Sequence, residues 1–248
     1  MLYKSIFRNL ILKKSVWLFL AIALYPLLIL IMSLLPTNFM QLGGEKNGLY
    51  GLDFFNATLG TQYQFVLPLI LMTYFISTMF YEEFASGRLI FFKDINRTKL
   101  LNNKLMALIT IYTIYFIILF IATELLFFTY LTHFDYAANS FLPQANDVIK
   151  EDVLSIVSTI LITYISVFFG IMLSMKLSTG FTILGVIFSF IIITISPMVR
   201  GLNFFFPNGY IYNNQSLWLN LLIMIVLTIV YCLIFYIISV RTFKKLEY

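Results

Sequence analysis

Six long stretches of this sequence are nearly uninterrupted in apolar residues, and polar segments of uneven length separate them. They run 15–36, 62–81, 104–131, 153–175, 178–197 and 216–240. A helix needs about 20 apolar residues to cross a hydrocarbon core of roughly 30 Å. The pattern therefore predicts an all-α integral membrane protein, one transmembrane domain over 1–248 with six transmembrane helices. The only charge well inside any stretch is Glu124, in the third.

The first residues follow a different pattern. Leu2, Tyr3, Ile6, Phe7 and Leu10 share one helical stripe, with Lys4, Ser5, Arg8 and Asn9 opposite. That predicts an amphipathic helix within 1–14 lying in the membrane interface. The other reading is an N-terminal extension of the first span.

Composition points to the same solvent. The 248 residues are 61% hydrophobic and only 11% charged, whereas a water-solvated surface is roughly a quarter to a third charged. A bilayer must take the place of water around most of the chain.

Charge sets the expected orientation. With the N-terminus in the cytoplasm, thirteen of the sixteen Lys and Arg fall on inner segments. Lys46, Lys150 and Arg200 are outside, among Glu45, Asp53, Asp135, Asp147, Glu151 and Asp152. This is the positive-inside distribution, and it places both termini in the cytoplasm. The basic excess then faces an anionic inner leaflet, so no nucleic-acid partner is expected. The long apolar stretch behind the basic N-terminus, without a small-residue cleavage site, is not a cleavable signal peptide.

Several chemistries are excluded by residue counts. Cys232 is the only cysteine and His133 the only histidine, so an intrachain disulfide, a cysteine metal site and a two-imidazole site are ruled out. No metal or cofactor is expected on this chain. There is no G-x-x-x-x-G-K-[ST] phosphate loop, and the Gly43-Gly44 pair lacks the following Lys-Ser or Lys-Thr. No H-E-x-x-H or G-x-S-x-G motif occurs, so no catalytic set is identified.

The inner segment 82–103 is long and patterned. Glu82, Glu83 and Gly87 open it, Leu89, Ile90, Phe91, Phe92 and Ile95 form an apolar cluster, and Arg97 and Lys99 close it ahead of Lys104, where the third span starts. Large apolar groups on the wet side of a membrane mark a partner surface; a short helix resting on headgroups is the alternative.

Glu83-x-x-x-Gly87 after the second span, then the apolar run, the basic patch and Lys104, resembles the loop of ABC-2 type permeases. These are the membrane subunits of ATP-driven exporters. Six spans, inside termini and an interfacial first helix fit that family, and the small size looks most like bacterial peptide-export and bacteriocin or lantibiotic immunity permeases. Arg88 stands where members often have Thr.

The resemblance implies that 82–103 is a coupling helix seated in a groove of a separate nucleotide-binding ATPase subunit. Glu83, Gly87, Arg88, Leu89, Phe91 and Phe92 would make that contact. ATP and magnesium would sit on the partner, a second permease copy, identical or not, would complete twelve spans, and the chain itself would not be an enzyme.

Candidate path residues are few. Glu124 is costly at membrane depth and is a functional candidate for that reason; a structural hydrogen bond or interfacial placement are the other readings. Thr159, Thr163 and Ser166 recur on one face of the fourth span, and Thr182 and Ser189 on one face of the fifth. Such faces permit close helix packing or line a route. Pro26 and Pro68 remove backbone donors inside the first two spans and can kink them. The outer segment 196–216, with Phe204, Phe205, Phe206, Tyr210 and Tyr212, is too apolar for a solvated loop and reads as re-entrant or interfacial.

The function expected is permease subunit of an exporter of hydrophobic or amphipathic cargo, a membrane-active peptide by resemblance. Two alternatives are a non-transporting membrane partner or sensor protein, and a secondary transporter. Neither the paired intramembrane charges nor the broken-helix repeats common in the latter are evident.

Overall fold

The computed structural model describes residues 2–33 and 45–245. Within them the chain is all-helical. The helices are α1 (Leu2–Ile11), α2 (Lys14–Ile22), α3 (Pro26–Ser33), α4 (Gly51–Phe65), α5 (Leu67–Met79), α6 (Tyr81–Ala85), α7 (Arg97–Thr129), α8 (Asn146–Ser174), α9 (Thr179–Ile195) and α10 (Leu217–Lys245). Short 3-10 turns occur at Arg88–Phe92, Leu131–His133, Ser196–Met198 and Pro207–Tyr210.

Four of these elements are long and apolar enough to cross a membrane: α7 continued to His133, α8, α9 continued to Met198, and α10. A fifth span results if α4 and the α5–α6 run are taken together, bent by 58° at their junction. The described residues therefore carry four or five spans rather than the six expected. The shortfall lies in the second stretch, where the bent pair is not counted as one span, and in the first. The described part of the first holds two helices of 9 and 8 residues, α2 and α3, each shorter than the roughly 20 residues of a span. The end of that stretch, like Gly43 and Gly44, lies outside the described residues.

Both interruptions sit where proline was read. Pro26 is the first residue of α3, after a turn at 23–25. Pro68 is in the first turn of α5, directly after the break at Val66. Pro lacks the N–H that would continue a preceding helix but fits a helix's first turn. Val66 has φ +56°, a left-handed conformation that a β-branched residue adopts only under tertiary constraint.

Helix starts differ from the apolar boundaries for local reasons. α7 begins at Arg97, seven residues before Lys104, because the Asn96 side chain accepts from the amides of Thr98 and Lys99. α8 begins at Asn146 rather than 153, in polar sequence. α1 is a separate helix, not an extension of α2. Its stripe packs on the core, with Leu10 buried and Tyr3 Oη 2.9 Å from Thr110 Oγ1 on α7.

Two long helices organise the bundle. α7 packs against α1 to α5 and α10, and α8 against α4, α5, α9 and α10. Phe19 of α2 lies in the main core, stacked on Tyr115 at 4.4 Å and edge-on to Phe75 at 5.6 Å. Between membrane helices such shape-matched contact, rather than water exclusion, supplies the association energy. Gly185 shows the close approach of α9 to α8, because a Cβ there would stand 2.6 Å from Leu173 Cδ1.

Cross-chain bonds define the two ends. At one, Lys13 donates to Thr78, Arg97 to the carbonyl of Phe243, and Thr179 to Glu82. At the other, Asn56 donates to Asp152 and Lys150 to the carbonyl of Asn213. The first end gathers most of the Lys and Arg and is here called the basic end. At the other end the aromatic segment after α9 is partly folded in. Pro207 and Tyr210 are buried, Phe206 stacks on Tyr231, and Phe204, Phe205 and Tyr212 remain exposed.

Candidate functional site

The patterned loop is anchored from below by one buried cation. Lys104 lies two turns into α7 and is 1% exposed. Its Nζ donates to Glu83 Oε2 at 2.6 Å and to the Met79 carbonyl at 2.5 Å. It also stands 5.2 Å from the Phe80 ring centroid and 5.8 Å from that of Phe92. A charge that far from water persists only when paired and hydrogen-bonded; here a carboxylate, a carbonyl and two ring faces enclose it. The pair closes the 21-residue separation between α6 and α7 and so fixes where the loop leaves the bundle.

The neighbouring acid makes a second attachment. Ser77 of α5 donates to Thr179 Oγ1 at 2.9 Å, and Thr179, the first residue of α9, donates to Glu82 Oε1 at 3.2 Å. Lys13 adds to the same field: burial lowers its pKa, and the Glu83 carboxylate acts in the opposite direction. The loop is thus tied through polar bonds to α5, α7 and α9 together.

Past α6 the chain turns at Gly87, whose φ of +69° suits glycine. Arg88 is exposed and its Nε donates to Ser86. The 3-10 turn Arg88–Phe92 divides the apolar cluster. Leu89 is buried, and Phe92 and Ile95 pack on the core. Ile90 and Phe91 point away, Phe91 at 80% exposure, with Phe84 also exposed. Of the residues marked in the sequence, Glu83, Leu89 and Phe92 hold the loop in place, while Gly87, Arg88 and Phe91 are outward. Ile90 and Phe84 join that outward face. The turn sets their direction, and apolar character alone could not separate Ile90 from Leu89.

The path candidates do not converge on one place. Thr159 and Thr163 line a cavity of about 40 Å³ at the α4–α5 break, with Gln62, Tyr63, Pro68 and Tyr115. Ser166 and Ser189 line a second cavity of about 220 Å³ between α8, α9 and α10. Thr182 is buried and donates to the Leu177 carbonyl at 3.2 Å. Thr159 and Thr163 each donate to the carbonyl four residues earlier, and Thr163 also has a side-chain hydrogen bond with Tyr112, a further lining residue.

Glu124 lies at the other end. Its carboxylate is buried without a hydrogen-bond partner among the described residues, against the first residue of α4; a Cβ on Gly51 would meet its Oε2 at 2.9 Å. The positive end of the α4 dipole favours an anion there. Nearby, Asp53 caps α4 by accepting from the Tyr50 amide. Asp152 accepts from Asn56 at 2.7 Å and is also within hydrogen-bond reach of Asp53. Both aspartates read as outer-loop residues in the sequence. The tertiary fold, through α4 and the early start of α8, brings them together.

Among the described residues no group of His, Cys, Asp and Glu is arranged to hold a metal ion. No protein-family model, curated protein or solved structure matches this chain.

Proposed function

We propose that this chain is the permease subunit of an ATP-driven exporter, of the ABC-2 type, with ATP hydrolysed by a separate subunit. The observation that carries the reading is the loop at the basic end: anchored through Glu83–Lys104 and Glu82–Thr179, it holds Ile90 and Phe91 outward with no cover among the described residues. An exposed aromatic anchor on a fixed turn suits a hydrophobic groove on a partner. Because the same turn is bonded to α5, α7 and α9, a displacement imposed there reaches three helices at once.

The rest of the reading follows from that role. The chain lies in a bacterial plasma membrane with both termini cytoplasmic, pairs with a second permease copy, and reaches six spans if the first apolar stretch, broken at Pro26 and ending outside the described residues, crosses as a sixth beside the five of the described residues. Its cargo is hydrophobic or amphipathic, a membrane-active peptide such as a bacteriocin, because the spans offer hydroxyls and aromatic rings rather than charges. Export would protect the producing or exposed cell.

Co-purification in mild detergent tests this. A phosphate-loop ATPase is expected to accompany the wild-type chain and to be lost from Phe91→Glu, whose 80% exposure leaves thermal stability unchanged. Retention of the ATPase by that variant refutes the docking assignment. Absence of any ATPase with the wild type refutes the exporter reading.

A further inference from the structure

α9 and α10 both pack on α8 but scarcely on each other, leaving a groove along α8. Its middle is the cavity of about 220 Å³ lined by Ile165, Phe169, Ser189, Ile192, Tyr231 and Phe235. Ser189 donates to the Val186 carbonyl and the Ser166 hydroxyl is buried, so the cavity presents an apolar wall. Phe206, stacked on Tyr231 at 5.8 Å, closes the end remote from the basic end. At the basic end the same elements open into a second pocket of about 240 Å³, lined by Lys176, Arg241, Thr242 and Lys245.

Helical spacing joins the two pockets. On α10, Tyr231, Phe235, Ile238, Thr242 and Lys245 recur at steps of three and four, as do Ile165, Phe169, Leu173 and Lys176 on and just after α8. From Ile165 to Lys176 is eleven residues, about 16 Å of helix. One leaflet of a bilayer has a hydrocarbon depth of roughly 15 Å, half the usual core. The three cations at the mouth have no side-chain ion pair or hydrogen bond among the described residues, and no acid lines their pocket.

We propose that this groove binds one anionic phospholipid, its acyl chain along α8 between α9 and α10 and its phosphate at Lys176, Arg241 and Lys245. Charge complementarity and leaflet-matched length select that occupant. A soluble phosphate would leave the apolar wall unused, and a lipid of no net charge would leave the excess positive charge of three clustered cations unbalanced among the described residues. Basic pockets between membrane helices at the headgroup plane recognise such lipids. The Thr242 hydroxyl is available as a further donor to phosphate oxygen. The site does not require the ATPase contact, so it stands or falls separately from the exporter reading.

Native mass spectrometry of the full chain, delipidated in detergent and titrated, distinguishes the possibilities. Phosphatidylglycerol is expected to bind at least tenfold more tightly than phosphatidylcholine, and K176Q/R241Q/K245Q to abolish that preference. Ser189→Trp, which fills the apolar cavity while sparing the cations, is expected to weaken both lipids, and glycerol 3-phosphate to bind at least tenfold more weakly than phosphatidylglycerol. Equal binding of both lipids to the wild type, or an unchanged preference in the triple variant, overturns the proposal. Glycerol 3-phosphate binding as tightly as phosphatidylglycerol removes the acyl groove from it. A stable dimer that forms without lipid and excludes it would assign the groove to a second copy, also overturning the proposal.

Discussion

Glu83→Gln and Lys104→Met offer an unequal pair of perturbations to one contact. The Lys104 side chain is 2% exposed and that of Glu83 21%. Neutralising Glu83 strands an ammonium that water scarcely reaches, and losing one member of a buried pair costs about 3–5 kcal/mol. The Met79 carbonyl and the Phe80 and Phe92 rings remain around it, placing Glu83→Gln near the lower figure, about 3 kcal/mol. Lys104→Met strands a carboxylate that is one-fifth exposed and can hydrate, so about 1–3 kcal/mol is expected, the cost of an unmade buried hydrogen bond. The double variant carries no stranded charge, and the single losses fail to add by about 2–3 kcal/mol. Unfolding of the four proteins in mixed micelles, followed by helical circular dichroism, measures the cycle. Additive losses, or a Glu83→Gln variant within about 0.5 kcal/mol of wild type, refute the account of Lys104 as a buried, paired anchor.

Further outcomes are expected in the same assay. Gly87→Ala meets open space but a φ of +69°, so it costs about 1 kcal/mol through backbone strain alone. Gly209→Ala drives a Cβ into the Asn203 backbone carbonyl, which cannot swing aside. The turn before α10 must move, and its loss of melting temperature is the larger of the two. Asp152→Asn keeps an acceptor for Asn56 while removing a like charge from Asp53, so it is neutral or stabilises by about 1 kcal/mol. A clear loss of stability would mean that the Asp152 charge itself is needed.

The sequence made the long apolar helices plain because α7, α8, α9 and α10 are continuous apolar runs whose period hardly matters in lipid. The stripe of α1 was equally readable, and its apolar side is the packed side. The polar helix starts were less so: α4 begins among Gly51, Asp53 and Asn56, which carry no span signal. Yet Asn96 before α7 is an ordinary cap that local inspection can find. Pro26 and Pro68 marked breaks that apolar length alone would have bridged. What no local pattern could supply is contact across the chain: Lys104 with Glu83, Thr179 with Glu82, Asp53 with Asp152. Each depends on how helices distant in sequence come to lie side by side. The division of Leu89 and Phe92 from Ile90 and Phe91 is of the same kind, since a 3-10 turn after a left-handed glycine decides it.

Photo-crosslinking from position 91 in native membranes tests the central claim most directly. With a photoreactive amino acid in place of Phe91, the account predicts a covalent adduct to a separate phosphate-loop ATPase, and none from a probe at Phe134, exposed at the opposite end. Adducts to lipid alone, or the same ATPase adduct from both positions, would contradict it.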